Sequence, residues 1–234
     1  MNVVLPAILR ALDHADKIKP ADRRTVTLSF DDACKIMSDY LKDMTSGVRY
    51  DRMVRGSANT SAPNMIVTEN IEAANQILAR FKYEKAEPFI NKPLPGLDKI
   101  PIDADLFETD KYDSYAADVL LYLDDFDGVD VSVASKILHQ KRPKLVPIFD
   151  ALARRALNIP WTRGSNSAAY EPLFTCFRSF TSSGENRAAL DKLASWVNTS
   201  TELGRECQLS RVRTLDILAW SVIWYRDPFA SSGS

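Results

Sequence analysis

The sequence predicts a mainly α-helical fold, and two observations carry that expectation. Apolar residues recur at helical spacing along most of the chain, whereas β-branched alternation is scarce. Hydrophobic residues make up 45% of the 234 positions, an ordinary globular fraction at a length that can bury a full core. The same length admits one large domain or two interleaved helical lobes.

Taken in order, residues 5–15 are expected to form a short amphipathic helix. Ser29 followed by Asp32 has the form of an N-cap with an acidic N3, opening a helix to about Met44 that Ser46-Gly47 stops. The small polar residues 56–64 predict a mobile loop. Thr68 caps the next helix, with Ile71, Ala74, Ile77, Leu78 and Phe81 facing inward. Pro88, Pro93, Pro95 and Pro101 then enforce an irregular connection. A helix over about 113–123 puts Ala116, Val119, Leu120 and Leu123 at core spacing. Residues 151–157 form a helix that ends before Pro160, and Trp161, Arg163 and Gly164 fall in a loop rich in Ser and Asn. Further helices are expected at 170–180, 186–197 and 210–225, with a frayed tail at 229–234.

Bulk properties remove several function classes. A net charge of −1 and a pI near 6.2 give no global attraction for nucleic acid. Any DNA site must be a local basic face with salt-sensitive binding. Cys34, Cys176 and Cys207 are too few for a four-cysteine iron–sulfur cluster and too dispersed for a disulfide framework. His14 and His139 do not suggest a metal centre, and no phosphate-binding glycine loop or hydrolase triad pattern occurs. No apolar run is long enough to span a membrane and the N-terminus lacks a signal-peptide pattern, so the cytoplasm is the expected compartment.

The segment from Phe126 to Asp150, FDGVDVSVASKILHQKRPKLVPIFD, carries the chemistry. It reads as a helix end, a tight turn at Gly128, a helix from Val131, and a carboxylate delivered after a proline-bounded loop. A tight turn opening a helix presents backbone N–H groups to a phosphate. Lys136, His139, Lys141, Arg142 and Lys144 add a run of cationic or protonatable side chains. Such a grip beside a carboxylate suggests chemistry on a nucleic acid.

This pattern resembles the helix-hairpin-helix DNA glycosylase superfamily, which includes endonuclease III, the adenine glycosylases and the 3-methyladenine glycosylases. Their hairpin has the form Leu-Pro-Gly-Val-Gly-x-(Lys or Ser)-x-Ala, followed by Val-Asp-x-x-Val-x-Arg. Here Phe126, Asp127, Gly128, Val129 and Asp130 fall on the hairpin, Ser132 on the Lys/Ser position and Ala134 on the alanine. Asp150 and Arg155 fall on the second motif, with 24 positions from Phe126 to Asp150. The match covers roughly thirty residues directly. The resemblance implies a two-lobed helical glycosylase-like fold over residues 1–234, with the hairpin and its aspartate in 113–157. The whole chain also resembles an uncharacterised bacterial family with a KRPxLVPxxD core and a C-terminal LRxLD-like helix, here Val212-Arg213-Thr214-Leu215-Asp216. That second resemblance implies no activity.

The resemblance makes Asp150 the carboxylate that stabilises positive charge on a sugar as its glycosidic bond breaks. Asp150 is equally placed to N-cap the following helix, a role compatible with the first. Ser132 cannot form the imine that a lysine there would, so a monofunctional enzyme leaving an abasic site is expected. Lys136, one turn further on, is a possible substitute amine. Gly128, Val129, Asp130, Ser132, Lys136, Lys141, Arg142 and Arg155 are the expected DNA contacts, against a solvated basic surface or a plain helix start. Trp161, Tyr50 and Tyr112 are the candidate residues of a base pocket, with Tyr115 and Phe149 behind them. Most aromatics are core, and Trp196, Trp220 and Trp224 read that way.

The substrate implied is double-stranded DNA with one damaged or modified base flipped out, in endogenous or foreign DNA such as that of a phage. No cofactor is implied. Asp127 and Asp130 depart from the hairpin pattern, replacing its proline and second glycine. With Asp124 and Asp125 they make an acidic cluster that would repel a phosphate. Binding there requires a cation, for instance a monovalent ion at the hairpin, or both side chains turned to solvent. A non-catalytic DNA-binding module of the same fold and a helical protein-interaction domain are the alternatives.

Overall fold

The computed structural model describes residues 2–8, 23–56, 59, 61–77, 79–159 and 166–224. Ten helices among the described residues surround one main hydrophobic cluster, with a two-stranded sheet at one side. The mainly α expectation holds.

The sheet replaces the first expected helix. Strand β1 (Asn2–Ile8) pairs antiparallel with β2 (Arg23–Ser29), placing Val3 opposite Leu28. Both of those side chains are fully buried. The β-branched stretch Thr25-Val26-Thr27 supports this ribbon. Residues 9–15 of the expected helix lie outside the described residues.

Helix α1 (Phe30–Asp43) opens with the expected capping box. Asp32 N donates to Ser29 Oγ at 3.1 Å and Ser29 N to Asp32 Oδ2 at 3.1 Å. It ends one residue before Met44, but Ser46-Gly47 does not end helical structure, because α2 (Thr45–Val54) starts at once. Gly47 is there for close approach. A Cβ at this position would lie 2.4 Å from Tyr40 Oη. Gly47→Ala is therefore expected to cost about 1–3 kcal/mol through overpacking, read as a lower urea midpoint. An unchanged midpoint would mean that the Tyr40 ring can move aside freely.

Helix α3 (Thr68–Gln76) has Val67 at its N-cap instead of the expected Thr68, with Val67 N donating to Asn70 Oδ1 at 3.0 Å. Ile71 and Ala74 are buried and Ile77 is half-buried, as expected for an inward face. Phe81 is also buried, but it lies beyond the helix, after Arg80 at φ 51. Leu78 lies outside the described residues. The described part of 56–64 is held by internal hydrogen bonds where a loose loop is expected.

Helices α4 (Asp113–Asp124) and α5 (Val131–Lys141) form the hairpin, and α6 (Ala151–Ala156) follows the connecting loop. Ala116, Val119, Leu120 and Leu123 are fully buried on α4. The last helices are α7 (Glu171–Phe180), α8 (Gly184–Ser200), α9 (Glu202–Cys207) and α10 (Arg211–Trp224). Of these α9 is additional to the sequence reading, and Thr201 caps it by accepting from Gly204 N at 2.9 Å.

Helix α5 packs on α2, α3 and α4, while α10 packs on α1, α6 and α8. The short α6 also touches β1. The 142–150 connection thus passes from one group of helices to the other, and Asp150 stands at its end.

Candidate functional site

The hairpin turn is built around one glycine. Gly128 has φ 78, a region open to glycine at little cost, and Val129 N closes the turn on Phe126 O at 3.0 Å. Val129 is 4% exposed and anchors the turn in the core. Asp130 is not left-handed. Its φ of −107 and ψ of 176 are extended, and its carboxylate caps α5 by accepting from Val133 N at 2.8 Å.

Three carboxylates of the acidic cluster are engaged from within, one of them by a cation. Asp124 is buried and accepts from the Tyr170 hydroxyl. Asp127 is exposed and pairs with Lys85 Nζ at 2.9 Å. The same ammonium lies 3.1 Å from where a Cβ on Gly128 would stand, so Lys85 lies against the turn. Lys85 is 43 residues from Gly128, and the sequence reading missed it. Its only trace in sequence is a basic residue in an irregular segment.

From the C-terminal end of α5 the chain doubles back along it. Val146 O accepts from His139 Nδ1 at 2.6 Å, and Phe149 N donates to Ser135 Oγ at 2.9 Å. These two contacts run opposite to the helix direction, which brings Asp150 back to the N-terminal end of α5. There Asp150 caps α6, accepting from Ala153 N at 2.8 Å, and remains half-exposed. The capping role expected for it is observed, and the carboxylate is held in place by it.

Lys136 and Arg154 complete this corner. Lys136 is only 6% exposed. Burial lowers its pKa, while the carboxylates of Asp150, Asp130 and Asp216 act in the opposite direction. Burial also lowers the pKa of Arg154, again opposed by Asp150 and Asp130. Two helix-capping carboxylates and two desolvated cations therefore share one corner of the fold. Ser132 sits half-buried in the first turn of α5, one turn from Lys136. Arg155 is half-buried on α6.

Behind the corner lies a buried ionic network. Arg213 Nε donates to Asp51 Oδ1 at 2.7 Å, and Nη2 to Tyr40 Oη at 2.7 Å. Its Nη1 donates to Asp216, three residues on along α10. Tyr40 Oη donates in turn to Asp51 Oδ2 at 2.7 Å. Burial works against charge on Arg213, but Asp51, Tyr40 and Asp216 hold its pKa well above the usual guanidinium value. Burial pushes Asp216 up to about 7, against the pull of Arg213 and with added repulsion from Asp150. Through Asp216 the network feels the charge at Asp150.

The expected cationic face is not one surface. Lys141 is 2% exposed, and its Nζ donates to Ala62 O at 3.0 Å. Arg142 is 1% exposed and donates to the carbonyls of Ile100 and Leu97 at 2.8 and 2.7 Å, and to Asn64 Oδ1 at 2.7 Å. Both are turned inward, where they tie irregular segments to the end of α5. They are neither a phosphate grip nor a solvated face. Lys144 alone of the three is exposed.

The aromatic candidates divide. Tyr50 is fully buried, stacked on His139 at 6.1 Å, with its hydroxyl donating to Lys136 O at 2.8 Å. That is a core position, not an open stacking platform. Tyr112 is half-buried with the Lys111 ammonium 5.4 Å from its ring centre. Phe149 is buried edge-to-face against Phe174 and Phe177. Trp161 lies outside the described residues.

Among the described residues, no helix is long and apolar enough to cross a membrane. No curated protein matches the chain, and no solved structure does. The model of one family, a family of unknown function designated DUF6308, matches residues 33–222, and the chain belongs to that family.

Proposed function

We propose that this chain is a DNA glycosylase that hydrolyses the N-glycosidic bond of a damaged or modified base and leaves an abasic site. The observation that supports it is the return of residues 142–150 along α5. It sets a half-buried, cap-anchored Asp150 within electrostatic reach of the buried Lys136 on the hairpin helix. As the C1′–N bond breaks, positive charge builds on the sugar and Asp150 stabilises it. Water then adds to C1′, and the base departs with a proton.

Phosphate binding falls to Gly128, Val129 and Asp130, where the neighbouring Asp127 carboxylate is already paired with Lys85 and the Asp130 carboxylate is committed to its own helix. Ser132 and Arg155 flank that corner. The substrate is double-stranded DNA with the target base flipped out. Foreign DNA carrying modified bases, such as phage DNA, belongs among the candidates.

The acidic turn and the inward-facing Lys141 and Arg142 favour a second reading, a DNA-binding module without catalysis. Incubation with a panel of lesion-bearing and modified phage DNAs separates the two. The glycosylase reading expects alkali-labile sites, lost by about 100-fold or more in Asp150→Asn. Asn is as good an N-cap as Asp, so that variant keeps α6 while removing the charge. Salt-dependent binding without base release in any DNA supports the second reading. Absence of both leaves a protein-interaction domain. Borohydride trapping of a covalent adduct, lost in Lys136→Gln, would instead assign lyase chemistry to the Lys136 amine.

A further inference from the structure

A different cluster lies at the C-terminal end of α5, away from Asp150. A cavity of about 400 Å³ opens there, lined among others by Arg55, His139, Pro143, Lys144 and Leu209. That volume falls within the roughly 300–1,000 Å³ of small-molecule sites. We propose that this cavity binds a nucleoside monophosphate, with a base N–H donated to His139 Nε2 and the phosphate between Arg55 and Lys144. The site does not depend on the glycosylase reading.

His139 defines the inner end. The residue is 1% exposed, and its Nδ1 is committed to Val146 O at 2.6 Å. A carbonyl accepts, so Nδ1 carries the proton and Nε2 is left as an acceptor. Nε2 has no protein partner among the described residues. Burial, and then the charge of Arg213, lowers the ring's pKa to about 3, which keeps it neutral. A neutral acceptor with an open lone pair asks for an N–H or O–H donor and offers nothing to an anion.

The mouth asks for the opposite chemistry. Lys144 is exposed and has no ion-pair partner among the described residues. Arg55 uses Nη1 on the carbonyls of Arg205 and Glu206 at 3.2 Å each, which fixes its guanidinium. Asp51 is the carboxylate in the lining, and it is already engaged by Arg213 and Tyr40. Pro143 and Leu209 add apolar surface to the lining, suited to a flat ring. A donor-bearing planar body with an anion at its far end fits this order of groups, and a nucleoside monophosphate has that form.

Titration calorimetry of the full chain with AMP, GMP, CMP and UMP tests the proposal. One equivalent of at least one nucleotide is expected to bind. Lys144→Ala, on the exposed rim and without a packing role, should weaken that binding by about 10-fold. If AMP binds, N6,N6-dimethyl-AMP should bind about 10-fold more weakly, because it has lost the amine hydrogens. Three results would overturn the proposal: no binding of any of the four up to about 1 mM, binding that Lys144→Ala leaves unchanged, or inorganic phosphate alone binding as tightly as the nucleotide. The dimethylated probe examines the inner end without altering the buried His139.

Discussion

Arg213→Ala is expected to cost about 3–5 kcal/mol, the usual penalty for removing one partner of a buried ion pair. Arg213 is 6% exposed and stands between Asp51 and Asp216, which are 3% and 2% exposed. Removing it leaves two carboxylates without their cation in a region already hostile to charge. Asp216 can escape by taking a proton, since its pKa already stands near 7. Among the described residues, Asp51 then keeps the side-chain bond from the Tyr40 hydroxyl. The measurement is urea unfolding followed by circular dichroism, with a guanidine-free buffer so that no free guanidinium rescues the gap. A loss under about 1 kcal/mol would show the network to be well hydrated and the pair to behave as a surface ion pair.

The same network ties together the helices around the Asp150 corner. Arg213 ties α10 to α2 through Asp51, and to α1 through Tyr40. Tyr50, also on α2, reaches α5 by its bond to Lys136 O. The helix that starts at the hairpin and the helix that carries Asp216 are thus fixed to the same short α2. Asp150 caps a six-residue helix that packs on α10. In the proposed reaction the carboxylate must not move as positive charge develops, and the capping bond from Ala153 N together with the packing of its helix on α10 would hold it.

Signals that close within a few residues are mostly legible in the sequence, with Ser46-Gly47 and Thr68 as exceptions, whereas signals that depend on distant partners are not. The capping box at Ser29 and Asp32 closes within four residues, so both halves are visible together. The hairpin helices follow from their core spacing, and Gly128 from the need for a positive φ. The β-ribbon is hard to see in the sequence because a strand's partner lies some twenty positions away, while residues 5–15 also carry a helical spacing. Thr25-Val26-Thr27-Leu28 held an alternating signal that could have corrected this. Lys141 and Arg142 read as a basic surface because their acceptors are backbone carbonyls of Ala62, Pro63, Leu97 and Ile100, which no side-chain pattern reveals. Flanking Ile137, Leu138, Leu145 and Val146 hint at burial, since an apolar frame rarely surrounds a solvated cation. Arg213 and Asp216, i and i+3 among Val212, Leu215 and Ile217, are the clearest sequence sign of a buried pair. The capping role of Asp150 is legible from its place just before the 151–157 helix, while the doubling back that delivers it rests on Ser135 and His139, which have no distinctive spacing.

His139→Phe is expected to change the pH dependence of stability by about 1.4 kcal/mol per pH unit between roughly pH 6 and 4. In the folded chain the imidazole stays neutral down to about 3, against 6.5 for a free histidine. Between those values the unfolded chain holds the additional proton, so stability falls as the pH is lowered through this window. Asp216 acts in the opposite sense. Its folded pKa near 7 exceeds the ordinary 3.8, so the folded chain holds the additional proton there and stability is lost as pH rises. From about pH 4 to 6.5 the two slopes oppose each other, and the wild-type contribution of this pair is nearly flat. Phenylalanine keeps the stacking on Tyr50 but cannot titrate, which leaves the Asp216 slope uncompensated. The variant therefore gains on the wild type as the medium is acidified, whatever its starting deficit from the lost bond to Val146 O. Urea unfolding of both chains at several pH values measures the difference directly, and every group common to the two cancels. A difference in stability that stays constant from pH 7 to 4 would mean that the folded imidazole titrates like a free one, and that His139 is open to water.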